Sequence, residues 1–182
     1  MRLYRVFPWR RGARRNAAGH PLFIPRDRQG SGRIDNPDTY AALYAATSRE
    51  AAIGASLARY PVWSPALGEV PRLPGAVRAI AALQLARDDV VNLDDPAELV
   101  VRTLRPSRVV TPDRAITQAW AKAIFDEGRS PGVAWWSELD ARWTIVGLWD
   151  LGSFRVAGVQ PLRMDDPDVV AAARRLGRRI LR

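Results

Sequence analysis

The sequence predicts an α+β fold, and three observations carry that expectation. Segments with the twofold alternation of strands and segments with helical spacing are interleaved without the regular β-then-α order of a doubly wound parallel sheet. The chain has 182 residues, the size of one core rather than two. Hydrophobic residues make up 47% of it, with seven Trp, enough apolar surface to offset the entropy lost on ordering. A single domain is expected over residues 1–182.

Residues 1–9 read as the first strand, with Leu3, Arg5 and Phe7 alternating against Tyr4 and Val6 until Pro8. Residues 10–32 form a long basic loop, rich in Arg, Gly and Pro. It is either an ordered functional loop or a flexible connection, and the absence of any period favours the second. Residues 41–46, including Tyr44, suit a buried strand. A helix is expected from Thr47 to about Tyr60. Its opening, Thr47-Ser48-Arg49-Glu50, fits a capping box, with Glu50 reaching back to Thr47. Gly54 inside that helix costs about 1 kcal/mol relative to Ala.

Residues 61–74 are Pro-rich loop, residues 76–85 suit a strand or a short helix, and residues 90–95 look extended. Residues 96–104 and 112–125 have helical spacing, the second starting at Thr111-Pro112 with a cap and a Pro in the first turn. Three further strands are expected at 133–136, 143–150 and 154–159. The stretch 167–182 reads as a C-terminal helix, periodic from Pro167 to Leu181, with acids first and Arg last as the helix dipole favours.

Composition excludes several chemistries. There is no Cys, which rules out disulfides and thiolates, and a single His, His20, argues against a His-based metal site or a Ser-His-Asp triad. Catalysis would have to come from Arg, Tyr, Ser, Asp or Glu. No run of about 18 apolar residues could span a bilayer, and a cytoplasmic protein with no membrane association is expected. The net charge of +9 invites a nucleic-acid reading. However, the excess is concentrated at the two ends, and nearly all of it is Arg, Lys122 being the lone Lys.

Two local features carry chemistry. In Gln29-Gly30-Ser31-Gly32-Arg33, glycines beside an Arg would let the backbone approach an anion while the guanidinium makes a paired contact, although an ordinary turn reads the same way. Gly132-Val133-Ala134-Trp135-Trp136-Ser137-Glu138 sets two indoles and a Ser at a strand end. They are either core bulk or the wall of a pocket in which Ser137 offers a hydrogen bond.

Taken in order, these pieces resemble the RES domain. The resemblance runs through Tyr4-Arg5-Val6, Pro21-Leu22, Gly30 to Arg33, Asn36-Pro37, Leu43-Tyr44, Ser48, Ala52, Asp94-Asp95-Pro96, Arg105-Pro106-Ser107, Thr117-Gln118 and Gly132 to Ser137. It implies an ADP-ribosyltransferase-like fold, with a central split β-sheet and flanking helices. It also implies a bacterial toxin that depletes NAD+ by cleaving the bond between nicotinamide and ribose, as a phosphorylase using inorganic phosphate or as a glycohydrolase using water. NAD+ would be substrate, with no prosthetic group. A cognate antitoxin of helix-turn-helix type is implied as partner, and a homodimer is left open.

The same resemblance assigns Arg33 to phosphate binding, Tyr44 to the wall or a hydrogen bond of the nicotinamide ribose, and Ser137 to the nicotinamide end or the attacking group. The family's catalytic Glu falls eleven residues after the Tyr, and here that position is Ala55. A methyl group can neither orient a ribose hydroxyl nor stabilise positive charge, and losing such stabilisation typically costs about 3 kcal/mol or more. Glu50 lies five residues earlier, on another helical face; Glu138 and Asp140 are near Ser137 but have no counterpart in the family. Position 55 is either naturally degenerate or deliberately inactivated. The alternatives to an impaired toxin are a non-catalytic NAD+ or ADP-ribose binding protein and a basic nucleic-acid-binding protein.

Overall fold

The first strand, β1 (Arg2–Trp9), forms where the sequence alternates, and it lies inside a seven-stranded sheet. The architecture is that of a computed structural model, which describes residues 1–86, 89–152 and 154–181. On one side β4 (Val77–Leu85) pairs antiparallel with the whole of β1, from Arg2↔Gln84 to Trp9↔Val77, and β8 (Phe154–Pro161) pairs with β4. On the other side β2 (Leu43–Ala46) meets β1 at one residue pair, Tyr4↔Ala46. From β2 the sheet continues through β7 (Thr144–Leu148) and β6 (Gly132–Trp136), both antiparallel, to β5 (Val91–Asn92), which is parallel. The sheet is therefore two ladders hinged at one point, the split that the resemblance implies. The opening between them places the candidate site.

Helices cover the sheet in two groups, the first of which lies across the split, against β1, β2 and β7. The first, α1 (Arg49–Leu57), buries Ala51, Ala52, Ile53 and Leu57 against Val169, Ala172 and Ala173 of α5 (Pro167–Arg175). Two short helices, α2 (Pro96–Val101) and α3 (Pro106–Val109), precede α4 (Arg114–Asp126). Trp120, Ala121 and Ile124 of α4 pack with Val133 and Trp135 of β6. The expected elements are present, with 76–85 resolved as a strand; α4 starts later than Pro112 and is capped by Asp113 rather than Thr111, because the Asp113 Oδ1 accepts from the Ala115 N–H at 3.0 Å.

Three further expectations are corrected. The cap of α1 is Ser48, whose Oγ accepts from the Ala51 N–H at 3.1 Å, because the Thr47 N–H is still bonded to the Thr144 carbonyl of β7. Glu50 does not reach back to close a box; its carboxylate accepts from Trp143 Nε1 at 3.3 Å and from Arg175 Nε. The C-terminal helix ends at Arg175 rather than near residue 181. Gly177 takes φ +62° and the Arg178 N–H turns back to the Ala173 carbonyl at 2.7 Å, a glycine C-cap. The chain then forms β9 (Arg179–Ile180), parallel to β3 (Val62–Trp63), while Arg182 lies outside the described residues.

The third correction concerns the basic loop, which is bonded to the sheet rather than loosely attached. Arg5 projects from β1 between Leu3 and Phe7 and donates to the carbonyls of Pro21 at 2.6 Å and Phe23 at 3.2 Å. Desolvation lowers its pKa to about 10. Further along, Gln29 donates to the Ala42 carbonyl at 2.6 Å and accepts from the Ala42 N–H at 3.0 Å.

Gly54 is explained by packing. A Cβ there would run into the ring of Trp143, which is 4% exposed and lies on α1. Gly54→Ala gains helix propensity but displaces that indole, and overpacking of this kind costs about 1–3 kcal/mol. The expected outcome is a Tm lower by several degrees in thermal denaturation. A Gly54→Ala protein that melts higher than the parent would show that the indole is not the constraint.

Candidate active site

The loop before β2 is organised by one carboxylate. Asp35 is buried, and its Oδ2 accepts from the Gly30 N–H at 2.8 Å and the Gly32 N–H at 2.7 Å. Its Oδ1 accepts from the Tyr44 hydroxyl at 2.7 Å, and that hydroxyl in turn accepts from the Ile34 N–H at 3.0 Å. From outside, Gln118 of α4 donates to the carbonyls of Gly30 and Gly32, both at 2.9 Å. The glycines are thus wrapped around an internal anion, and two of their N–H groups are unavailable to an external one. A Cβ at Gly32 would also meet the Tyr44 hydroxyl.

Next to this loop, Arg33 is nearly buried at 6% exposure. Its Nη1 donates to the carbonyls of Val109 at 2.7 Å and Thr111 at 2.9 Å, and its Nη2 pairs with Glu138 at 2.5 Å. Burial lowers the Arg33 pKa; the Glu138 charge opposes this and the neighbouring Arg114 charge adds to it. Ser137 follows β6 directly. Its backbone N–H donates to the Trp143 carbonyl at 2.7 Å and its Oγ accepts from the Leu139 N–H at 3.1 Å, which leaves the hydroxyl proton as a donor.

Arg33, Tyr44, Ala55, Arg114, Ser137 and Glu138 line one cleft of ≈ 190 Å³. A second cavity of ≈ 390 Å³, bounded by Tyr4 and Arg5 of β1 and by Gln29, shares Tyr44, Ala55 and Ile145 with the first. The two open on either side of these residues, at the split in the sheet. All four residues singled out in the sequence are therefore brought together. Ala55 is exposed on α1, with its methyl on the wall common to both spaces.

Of the two adjacent indoles, Trp135 lines the smaller cleft, edge-on to Tyr44 with ring centres 6.4 Å apart, while half-buried Trp136 packs in the α4 cluster. Glu50 faces away, toward Trp143 and Arg175. Asp140 is held well below the usual carboxylate range by Arg142 and Arg175. Glu138 is the carboxylate that reaches the smaller cleft. Sequence reasoning missed Asp35, whose only signal is its place two residues after Arg33, and Arg114, which resembled any other helix-start cation. Among the described residues no cluster of His, Asp or Glu could hold a metal ion, and no helix is long and apolar enough to cross a membrane.

A family model described as the RES domain matches residues 2–160. No curated protein matches the chain in sequence. Among solved structures, the chain is similar to one titled as the crystal structure of the M. tuberculosis MbcT–MbcA toxin–antitoxin complex. The TM-score is 0.61 at 16% identity, over 88% of this chain and 83% of that one. At that identity the likeness is one of fold.

Two tyrosines give this region a pH signature. Burial, followed by the charge of Asp35, raises the Tyr44 phenol far above its ordinary value of 10.0, and burial raises Tyr40 to about 12. A phenol raised on folding keeps its proton in the native state after the unfolded chain has released it. Its stabilisation is complete below pH 10 and is lost as pH rises through the folded value. In a tyrosinate absorbance titration, two of the four tyrosines should stay protonated at about pH 11 until the protein unfolds. All four ionising together near pH 10 in the folded protein would contradict the buried phenol network.

Proposed function

The chain belongs to the RES domain family, and from that premise we propose that it is an NAD+-cleaving toxin whose reaction site is the cleft lined by Arg33, Tyr44, Ala55 and Ser137, impaired by the alanine at 55. The observation that carries this reading is the convergence of four positions from four separate segments on one cleft at the split of the sheet. In the proposed reaction the bond from the ribose C1′ to nicotinamide breaks, and nicotinamide leaves with the electron pair. Phosphate or water then bonds to the electron-poor carbon, water giving up a proton. Positive charge builds on the ribose, so the site has to hold the pyrophosphate, fix the ring and stabilise that charge.

Each residue is proposed for one of these tasks. Arg33 binds a phosphate of the dinucleotide. Its Nη1 is committed to two carbonyls, so the contact falls to Nε or to Nη2 in exchange for Glu138. Tyr44 serves as a wall through its ring, because its hydroxyl already donates to Asp35 and accepts from Ile34. Ser137 donates its hydroxyl to the nicotinamide end or to the attacking group. At position 55, an exposed site on α1, a glutamate would enter the shared wall of both cavities without displacing buried groups. A cognate antitoxin of helix-turn-helix type is proposed as partner, in keeping with the complex that the similar structure represents. A cytoplasmic location fits such a pair.

A second reading, binding of NAD+ or ADP-ribose without turnover, is favoured by the methyl at 55 and by the ion pair that occupies Arg33. The test follows NAD+ by chromatography, with and without phosphate, for the parent chain and for Ala55→Glu. The Glu variant is expected to consume NAD+ about a hundredfold faster than the parent or more, and the product identifies the acceptor. Turnover by neither protein, with ADP-ribose still bound, would replace the enzyme reading with the binding one.

A further inference from the structure

Arg114 is the first residue of α4, and two features of its position run against ordinary helix and core chemistry. A cation in the first turn of a helix opposes the helix dipole. Its Nη1 is also buried without any hydrogen-bond partner, and no carboxylate among the described residues lies within ion-pair distance. An unsatisfied buried donor costs about 1–3 kcal/mol, and more when the group is charged, so such atoms are rare and call for a missing acceptor. Arg78 Nη1 and Arg178 Nε are also buried without a partner, but neither lines this cleft: Arg78 stands over the Tyr60 ring and Arg178 donates through Nη2 to the Ala58 carbonyl at 2.8 Å. Other arginines in buried surroundings have their acceptors. Arg33 has two carbonyls and Glu138, Arg5 has two carbonyls, and Arg102 has Glu98 and Glu127.

Arg114 lines the same cleft as Arg33 and Ser137, and its charge lowers the Arg33 pKa, so the two cations feel one another. Glu138 is the one carboxylate lining that cleft, and it is already paired with Arg33. The lining therefore carries an excess positive charge, one orphan guanidinium nitrogen and one free hydroxyl proton on Ser137. An anion with several strong acceptor oxygens satisfies all three, and a carboxylate satisfies fewer.

We propose that Arg114 is a second anion-binding residue of this cleft, beside Arg33, and takes a phosphate group held between its guanidinium, Arg33 and the Ser137 hydroxyl. The inference rests on the cleft being the reaction site and adds the group that fixes a phosphate there. That phosphate is either free inorganic phosphate, the attacking reagent, or a phosphate of the dinucleotide itself.

The experiment measures binding by titration calorimetry, without turnover, using the full chain with Ala55 in place. Inorganic phosphate and ADP-ribose are titrated separately into the parent, Arg114→Gln and Arg114→Lys, with thermal denaturation checking that each variant is folded. If the parent binds inorganic phosphate and the Gln variant binds it about tenfold more weakly or worse, as loss of a charge-assisted contact predicts, the group is free phosphate. If only ADP-ribose binds and is weakened to that extent, the group belongs to the dinucleotide. In either case Arg114→Lys should recover part of the affinity, which a folding defect would not allow.

Equal affinity of parent and Gln variant for whichever probe binds overturns the proposal, as does failure of the parent to bind either probe. The two readings fail separately. NAD+ consumption by Ala55→Glu at a rate indifferent to Arg114→Gln overturns the Arg114 proposal and leaves the reaction reading standing, whereas phosphate binding that depends on Arg114 in a chain that never turns NAD+ over supports the proposal and overturns the reaction reading.

Discussion

The single residue pair between β1 and β2 is the constraint from which the rest of the site follows. A continuous antiparallel ladder would satisfy the facing backbone groups and fill the space between the strands. Here Tyr4↔Ala46 is the only register pair, and the space beside it becomes a cavity. Buried backbone groups still need partners, and side chains supply them. Gln29 binds the N–H and carbonyl of Ala42 as a neighbouring strand would, and Arg5 gathers the Pro21 and Phe23 carbonyls. The long basic loop is thus the replacement for a missing strand pairing.

The same economy governs the loop that carries Arg33. A buried carboxylate, Asp35, gathers two glycine amides and the Tyr44 hydroxyl, and Gln118 closes the loop from α4. The Tyr44 bond ties the loop to β2, and the Gln118 bonds tie it to α4. Removing any one would leave a buried polar group unsatisfied, a larger penalty than the net gain from an ordinary hydrogen bond. This arrangement holds Arg33 in place without asking the loop to have an intrinsic preference for its shape.

Part of the positive charge of the chain is held in ion pairs. Arg49 meets Asp166 and Asp168, Arg102 meets Glu98 and Glu127, and Arg175 meets Glu50 and Asp140. These pairs are part-buried and join separate segments of the chain, α1 to the start of α5 and α2 to the end of α4. Sequence reports how many charges the chain carries, and only packing reports which individual cations are already held by a partner.

The sequence by itself determined the elements whose signals are local. Alternation marked β1, strand-like runs marked β6 and β7, Thr111-Pro112 marked the approach to α4, and the resemblance carried by the ordered motifs named Arg33, Tyr44, position 55 and Ser137 as one set. Local signals misled where a long-range contact competed with them. The Thr47 backbone stayed with Thr144 and passed the cap to Ser48, Glu50 went to Trp143 and Arg175, and Gly177 ended α5 so that β9 could pair with β3. Only the tertiary structure decided that Asp35 is the hub of the loop, that Gly54 is a seat for Trp143, and that Arg114 stands beside Arg33 with a nitrogen unpaired. The reason is physical. Propensity and periodicity act over a few residues, whereas satisfying a buried charge or fitting an indole depends on partners that the chain brings together only when it folds.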